Sequence, residues 1–135
     1  MKKILSTLLV GFAFLFSSCG DSPEDITEDM MDVMKEATEI VKGVNDGDNA
    51  EDAIEDLNDL KGDLEEISKK MKAIDEDSSE DEKKEMSKKM EEKYGKEMTK
   101  VMGDLMGEVA KLPTSGTVGA TDVAKAVTDL MSSMK

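Results

Sequence analysis

The chain has 135 residues, enough for one domain with a single small core, and it carries a formal net charge of −14. It contains no His and no Arg, so the commonest general acid/base, the commonest metal ligand and the usual bidentate anion clamp are missing. Its one Cys excludes an intrachain disulfide, and its acidity argues against nucleic acid as a partner.

Residues 1–18 have the three parts of a secretory signal peptide. Two lysines form a basic start, a largely apolar run covers residues 4–16, and two serines precede Cys19. The run is too short for a permanent transmembrane helix, which needs roughly 20 residues. We predict that the chain is cleaved between Ser18 and Cys19.

The segment Phe16-Ser17-Ser18-Cys19 resembles the lipobox of bacterial lipoprotein precursors, in which small residues precede a cysteine that is acylated and becomes the mature N-terminus. Phe16 stands where that family usually has Leu. The whole leader is similar to those of Bacteroidetes-type and related Gram-negative bacteria. The resemblance implies that Cys19 carries covalent lipid, palmitate included, and that residues 19–21 form a short tether.

The resemblance also implies that the protein is anchored at the outer membrane, outside the cytoplasm. Asp21, Glu24 and Asp25 resemble the acidic export tags of surface lipoproteins in Bacteroidetes, but Pro23 interrupts them. We therefore favour a domain that faces the periplasm, with the cell surface as the alternative.

A first helix is predicted over residues 22–44. Ser22 can cap its N-terminus and Pro23 suits the first helical position, where acids also favour the positive end of the helix dipole. Apolar residues then recur at alternating spacings of four and three, as in a coiled-coil seam. They are Ile26, Met30, Val33, Ala37, Ile40 and Val44.

A second helix is predicted over residues 49–74. Either Asp48 or Asn49 can cap it, and Glu51 is placed to complete a capping box with Asp48. Gly62 falls on the polar side of this helix. Its heptad positions are Ala53, Leu57, Leu60, Leu64, Ile67, Met71 and Ile74.

A third and longest helix is predicted over residues 79–112, where Ser79 and Glu82 match a second capping box. Its apolar positions drift away from a strict heptad. They are Met86, Met90, Tyr94, Met98, Val101, Leu105, Val109 and Leu112.

The remaining residues predict a loop over 113–119 and a short last helix over 121–134. Pro113 begins the loop, since proline disfavours continuation of the preceding helix. Thr121 can cap the last helix. The inward positions of that helix are Val123, Val127, Leu130 and Met134.

Together these elements predict an all-α domain over residues 22–135, an antiparallel helical bundle of three long helices plus one short C-terminal helix with coiled-coil-like seams. A hairpin of the second and third helices would place Lys88 and Lys89 beside Glu65 and Glu66. Such exposed pairs would select the register more than they would stabilise the fold.

Metal sites receive little support from the sequence. The twelve methionines offer thioether ligands for Cu(I), but most lie at or beside the seams, where Met fills irregular core space. The acid-rich loops at residues 45–49 and 75–77 do not fit the twelve-residue calcium pattern. We predict no dedicated metal site.

Catalysis is not expected either. The carboxylates fall on heavily charged, solvated faces, where no burial shifts a pKa toward a general-acid role. Tyr94 and the hydroxyl residues have no base beside them in sequence, and no Gly-rich phosphate loop follows a strand. We predict no catalytic residue, no cofactor other than the lipid on Cys19, and no enzyme.

The sequence therefore predicts a membrane-anchored extracytoplasmic lipoprotein whose helical bundle has a structural or protein-interaction role. One alternative is an extracytoplasmic cation-binding or buffering protein, with Ca²⁺ at the acidic loops or Cu(I) at methionines. The other is a self-associating coiled-coil envelope protein. The expected partners are the membrane through its lipid anchor, an envelope protein, or a second copy of the chain, and not nucleic acid.

Overall fold

The computed structural model describes residues 22–133, which form five helices and no strand. They are α1 (Pro23–Asp46), α2 (Ala50–Asp77), α3 (Glu80–Val109), the one-turn α4 (Leu112–Ser115) and α5 (Ala120–Ser132). The predicted all-α bundle of three long helices and a short C-terminal one is confirmed. No helix in this part of the chain is both long and apolar enough to cross a membrane.

Capping boxes begin α1 and α3: the box predicted between Ser79 and Glu82 is confirmed, and the predicted cap Ser22 forms one with Asp25 as well. Ser22 Oγ accepts the Asp25 backbone N–H at 3.2 Å, and Asp25 Oδ2 accepts the Ser22 backbone N–H at 3.1 Å. Ser79 and Glu82 make the same two bonds at 3.4 and 2.8 Å. Each box satisfies two donors that would otherwise lack a partner at the helix start, and it fixes where α1 and α3 begin.

The starts of α2 and α5 differ in part from expectation. Of the two candidates for α2, Asn49 is the cap, because its Oδ1 accepts the Glu51 backbone N–H at 3.0 Å, so the box between Asp48 and Glu51 does not form. The cap predicted at Thr121 is wrong. Gly119, with a φ of 88°, precedes α5 and leaves it without a side-chain cap.

The predicted end of the third helix is also wrong. α3 ends at Val109, and the expected loop over 113–119 begins with the helical turn α4. Pro113 lies in the first turn of α4, where a residue without an N–H and with a fixed φ is well tolerated. Pro113 thus lies in a new helical turn, four residues after α3 has ended.

α1 is the central helix and contacts each of the other four. Its buried side chains extend beyond the predicted seam to Met31, Met34 and Val41, because several helices cover it. Neighbouring apolar pairs such as Val33-Met34 are the sequence signal of this wider face. The core of the bundle is therefore built around α1.

α3 lies against α1 and runs parallel to it. Near the start of α1, Tyr94 Oη donates to Glu28 Oε1 at 2.6 Å, and at its end Asn45 Nδ2 donates to the Glu108 carbonyl at 2.9 Å. α2 runs antiparallel to both helices and connects the end of α1 to the start of α3. Helices that are two apart in sequence thus become parallel neighbours.

The predicted hairpin pairing of α2 with α3 is wrong. α3 packs against α1, and Lys89 Nζ lies 2.9 Å from Glu24 Oε1 of α1 instead of beside Glu65 or Glu66. The reason is packing: α1 has apolar residues on more than one face, and α3 covers the face that α2 leaves open.

α5 also packs against α2. Val123, Val127 and Leu130 are buried as predicted, and Ser68 Oγ of α2 donates to the Ser133 carbonyl at 3.1 Å. Met134 lies outside the described residues.

Candidate functional site

Cys19, the one predicted site residue, and its bond to Ser18 lie outside the residues that the structure describes. The structure does fix where the chain enters the bundle, because Ser22 caps α1 three residues after Cys19. Three residues span at most about 10 Å of extended backbone. A lipid on Cys19 would therefore attach close to the start of α1.

A groove of about 310 Å³ lies at this end of the bundle, where the start of α1, the end of α2 and the start of α3 meet. We call it the methionine groove. Its wall includes Pro23, Thr27, Met71, Met86, Ser87 and Met90. Three thioether side chains from two helices thus face one space, an arrangement that sequence spacing could not show because Met71 and Met86 belong to different helices.

Three of the four polar side chains that line the methionine groove have partners, and the fourth, Ser87, is exposed. Thr27 Oγ1 lies 2.8 Å from the Pro23 carbonyl and 3.4 Å from Met90 Sδ. Asp75 and Lys83 also line the groove and form an ion pair at 3.3 Å. The groove therefore offers a mainly apolar and adaptable wall.

A second groove, of about 320 Å³, lies between α1 and α2. Val33 and Ile67 supply apolar lining, and Lys70 also borders it. Its carboxylates are Asp29, Asp32, Glu36, Asp63 and Glu66. Such a groove attracts cations and basic side chains over a distance, although no three His, Cys, Asp or Glu side chains within residues 22–133 are arranged to hold a metal ion.

Tyr94 is buried, with 6% of its surface exposed, and its hydroxyl is held by Glu28. Lys93 Nζ lies 4.7 Å from the centre of the ring. Burial, together with the bond to Glu28, raises the pKa of the Tyr94 phenol, so it stays protonated and donates at neutral pH. The residue joins α3 to α1, and sequence reasoning missed Glu28 because it lies on another helix.

Two ion pairs join the same helices. The bond from Lys89 holds the pKa of Glu24 below its usual value, and the bond to Glu97 at 3.2 Å raises the pKa of Lys35. All four side chains are partly or largely exposed, so the pairs act on register and orientation more than on stability.

A scan against protein-family models and searches of curated proteins and of solved structures found no match for this chain. The functional proposal therefore depends on the leader and on the features of residues 22–133.

Proposed function

We propose that this chain is a bacterial lipoprotein, anchored outside the cytoplasm by lipid on Cys19, whose helical bundle has a structural or protein-interaction role. The observation that carries the proposal is the lipobox-like segment over residues 16–19, which ends in the chain's one cysteine. The capped start of α1 at Ser22 supports it, since an amphipathic helix begins soon after the apolar run stops. The favoured place is the periplasmic face of the outer membrane, with the cell surface as the alternative.

The lipid alone is sufficient as an anchor. Each buried methylene contributes about 0.8 kcal/mol, and a second acyl chain turns marginal, reversible binding into stable anchoring. The bundle need not contact the bilayer, and its acidity opposes contact with anionic lipids.

Replacement of Cys19 by Ser tests the proposal in cells fed an alkyne-bearing palmitate. We expect the wild-type chain to take up the label and to fractionate with membranes, and Cys19→Ser to lose both properties. Ser18→Ala keeps a small residue before the cut and serves as the matched control, which should behave as wild type. Membrane retention of Cys19→Ser without label would contradict the proposal.

Cation binding is the second candidate function, and the methionine groove favours Cu(I) over Ca²⁺ for it. Thioethers are soft ligands that select Cu(I). Competition with a Cu(I) chelator should then show tight stoichiometric binding that is lost in Met86→Leu/Met90→Leu, which removes two sulfur atoms and keeps the apolar volume. Equal binding by this variant would exclude the groove as the site.

The interaction role calls for a partner. Crosslinking from the bundle in its own cell, followed by mass spectrometry, would identify an envelope protein that contacts it. Self-association predicts a sedimentation coefficient that rises with concentration, and a concentration-independent monomer would exclude it.

A further inference from the structure

We propose that one acyl chain of the lipid on Cys19 folds back and occupies the methionine groove, while the rest of the lipid enters the bilayer. This inference rests on the lipidation of Cys19 in the proposed function. It adds a binding site for a fatty-acyl chain to the end of the bundle where the lipid is attached.

The position of the groove supports this occupant. Pro23, which lines the groove, lies four residues after Cys19, a distance of at most about 14 Å of extended chain. A ligand tethered so closely has an effective concentration on the order of millimolar, without any partner in solution. The acyl chain on Cys19 is thus favoured over a free lipid or another protein.

The chemistry of the wall fits hydrocarbon. Met71, Met86 and Met90 are unbranched and polarisable, and such side chains adapt to a flexible apolar ligand. The groove volume of about 310 Å³ lies at the lower end of the range for small-ligand pockets. The hydroxyl of Thr27 and the ion pair of Asp75 with Lys83 are already satisfied, so among the side chains that line the groove the exposed hydroxyl of Ser87 is the group left to select a polar ligand.

The part of α3 that lines the groove has no fully buried side chain. No residue between Glu80 and Lys93 is buried, and Met86 and Met90 are only partly covered. An acyl chain in the groove would cover these side chains and add apolar contacts where α3 has fewest.

Photocrosslinking tests the inference on the full chain. Cells are fed a palmitate that carries a diazirine in mid-chain and an alkyne at its end, and intact membranes are irradiated before digestion. We expect peptides that join Cys19 to residues 71–90. Met86→Glu should lower their yield about tenfold, because an unpaired carboxylate is costly beside hydrocarbon.

Two control variants make the result specific. Met106→Glu places the same charge on the same helix at a side chain that is 50% exposed, and it should keep the crosslinks. Met86→Leu/Met90→Leu keeps the wall apolar and should also keep them, although it would abolish Cu(I) binding by the same groove. Circular dichroism of each variant checks that it folds.

The outcomes separate the two proposals. Label on Cys19 with crosslinks to bilayer lipid and none to residues 71–90 would overturn the docking of an acyl chain and leave the lipoprotein assignment standing. Absence of label on Cys19 would overturn both. Crosslinks spread evenly over α2, α3 and α5 would also overturn the docking, since a seated chain contacts one site.

Discussion

Tyr94 is the only tyrosine of the chain, which also lacks Trp, so its ionisation can be followed by absorbance without overlap. We expect the native phenol to titrate above the ordinary value of about 10, because burial disfavours the charged form. In urea the midpoint should return to about 10. A native midpoint at or below the unfolded one would contradict the packing of α3 on α1.

The same shift makes stability depend on pH. Because the folded pKa is raised, the stabilisation from protonated Tyr94 is complete below the unfolded pKa and is lost as pH rises through the folded pKa. Tyr94→Phe should remove the part of the alkaline dependence that comes from Tyr94 and leave the part that comes from Lys35, whose pKa is also raised. At neutral pH it should cost about 1 kcal/mol for the lost bond to Glu28, as measured by urea unfolding.

Two glycines provide a matched pair of backbone tests. Gly119 has a φ of 88°, and a Cβ there would lie 2.9 Å from Ala50 Cβ, so Gly119→Ala should lower the free energy of unfolding by about 1–3 kcal/mol. Gly62 lies within α2 with open space around it, so Gly62→Ala should raise the free energy of unfolding by up to about 1 kcal/mol. Urea unfolding measures both, and equal effects of the two variants would contradict the placement of Gly119 against α2.

At the scale of helices, the first half of α3 should be the least protected long segment. It has no buried side chain between residues 80 and 93, whereas α1 has buried side chains at intervals from Ile26 to Val44. Hydrogen exchange followed by mass spectrometry should show at least about tenfold lower protection there than in α1. Equal protection would mean that this segment packs more tightly than its exposed surface indicates.

In α2 the heptad pattern predicts most of the buried positions. Five of its seven predicted heptad positions, from Ala53 to Ile67, are buried, because α2 presents one main apolar stripe. Met71 and Ile74 are only partly covered, and the buried Ala50 lies before the predicted seam. In α1, Met31, Met34 and Val41 were missed because a single seam cannot describe a helix covered from several sides.

The heptad pattern does not predict which helix packs against α3. A heptad pattern identifies which side of a helix is apolar, but not which neighbouring helix covers that side. The predicted hairpin of α2 with α3 is wrong for this reason. The methionine groove could not be predicted for the same reason, since Met71, Met86 and Met90 converge only after α3 is placed against α1. Caps and helix identities depend on local sequence and were predicted more fully.

At the scale of the whole molecule, the charge and the proposed lipid would have opposite effects. Cleavage before Cys19 would remove two lysines and leave 16 Lys against 32 acids, a net charge of −16. A domain of this charge would be repelled by anionic lipid headgroups, while the proposed lipid on Cys19 would hold it at the membrane. The few residues before Ser22 would then set how near the bundle lies to the surface.

Lipidation of Cys19 can be tested by the mass of the protein purified from the membrane fraction of its own cell. We expect a chain of 117 residues that begins at Cys19 and carries the added mass of its acyl groups on an N-terminal peptide. An unmodified chain that still begins at Met1, or a mature chain whose Cys19 is a free thiol, would contradict it.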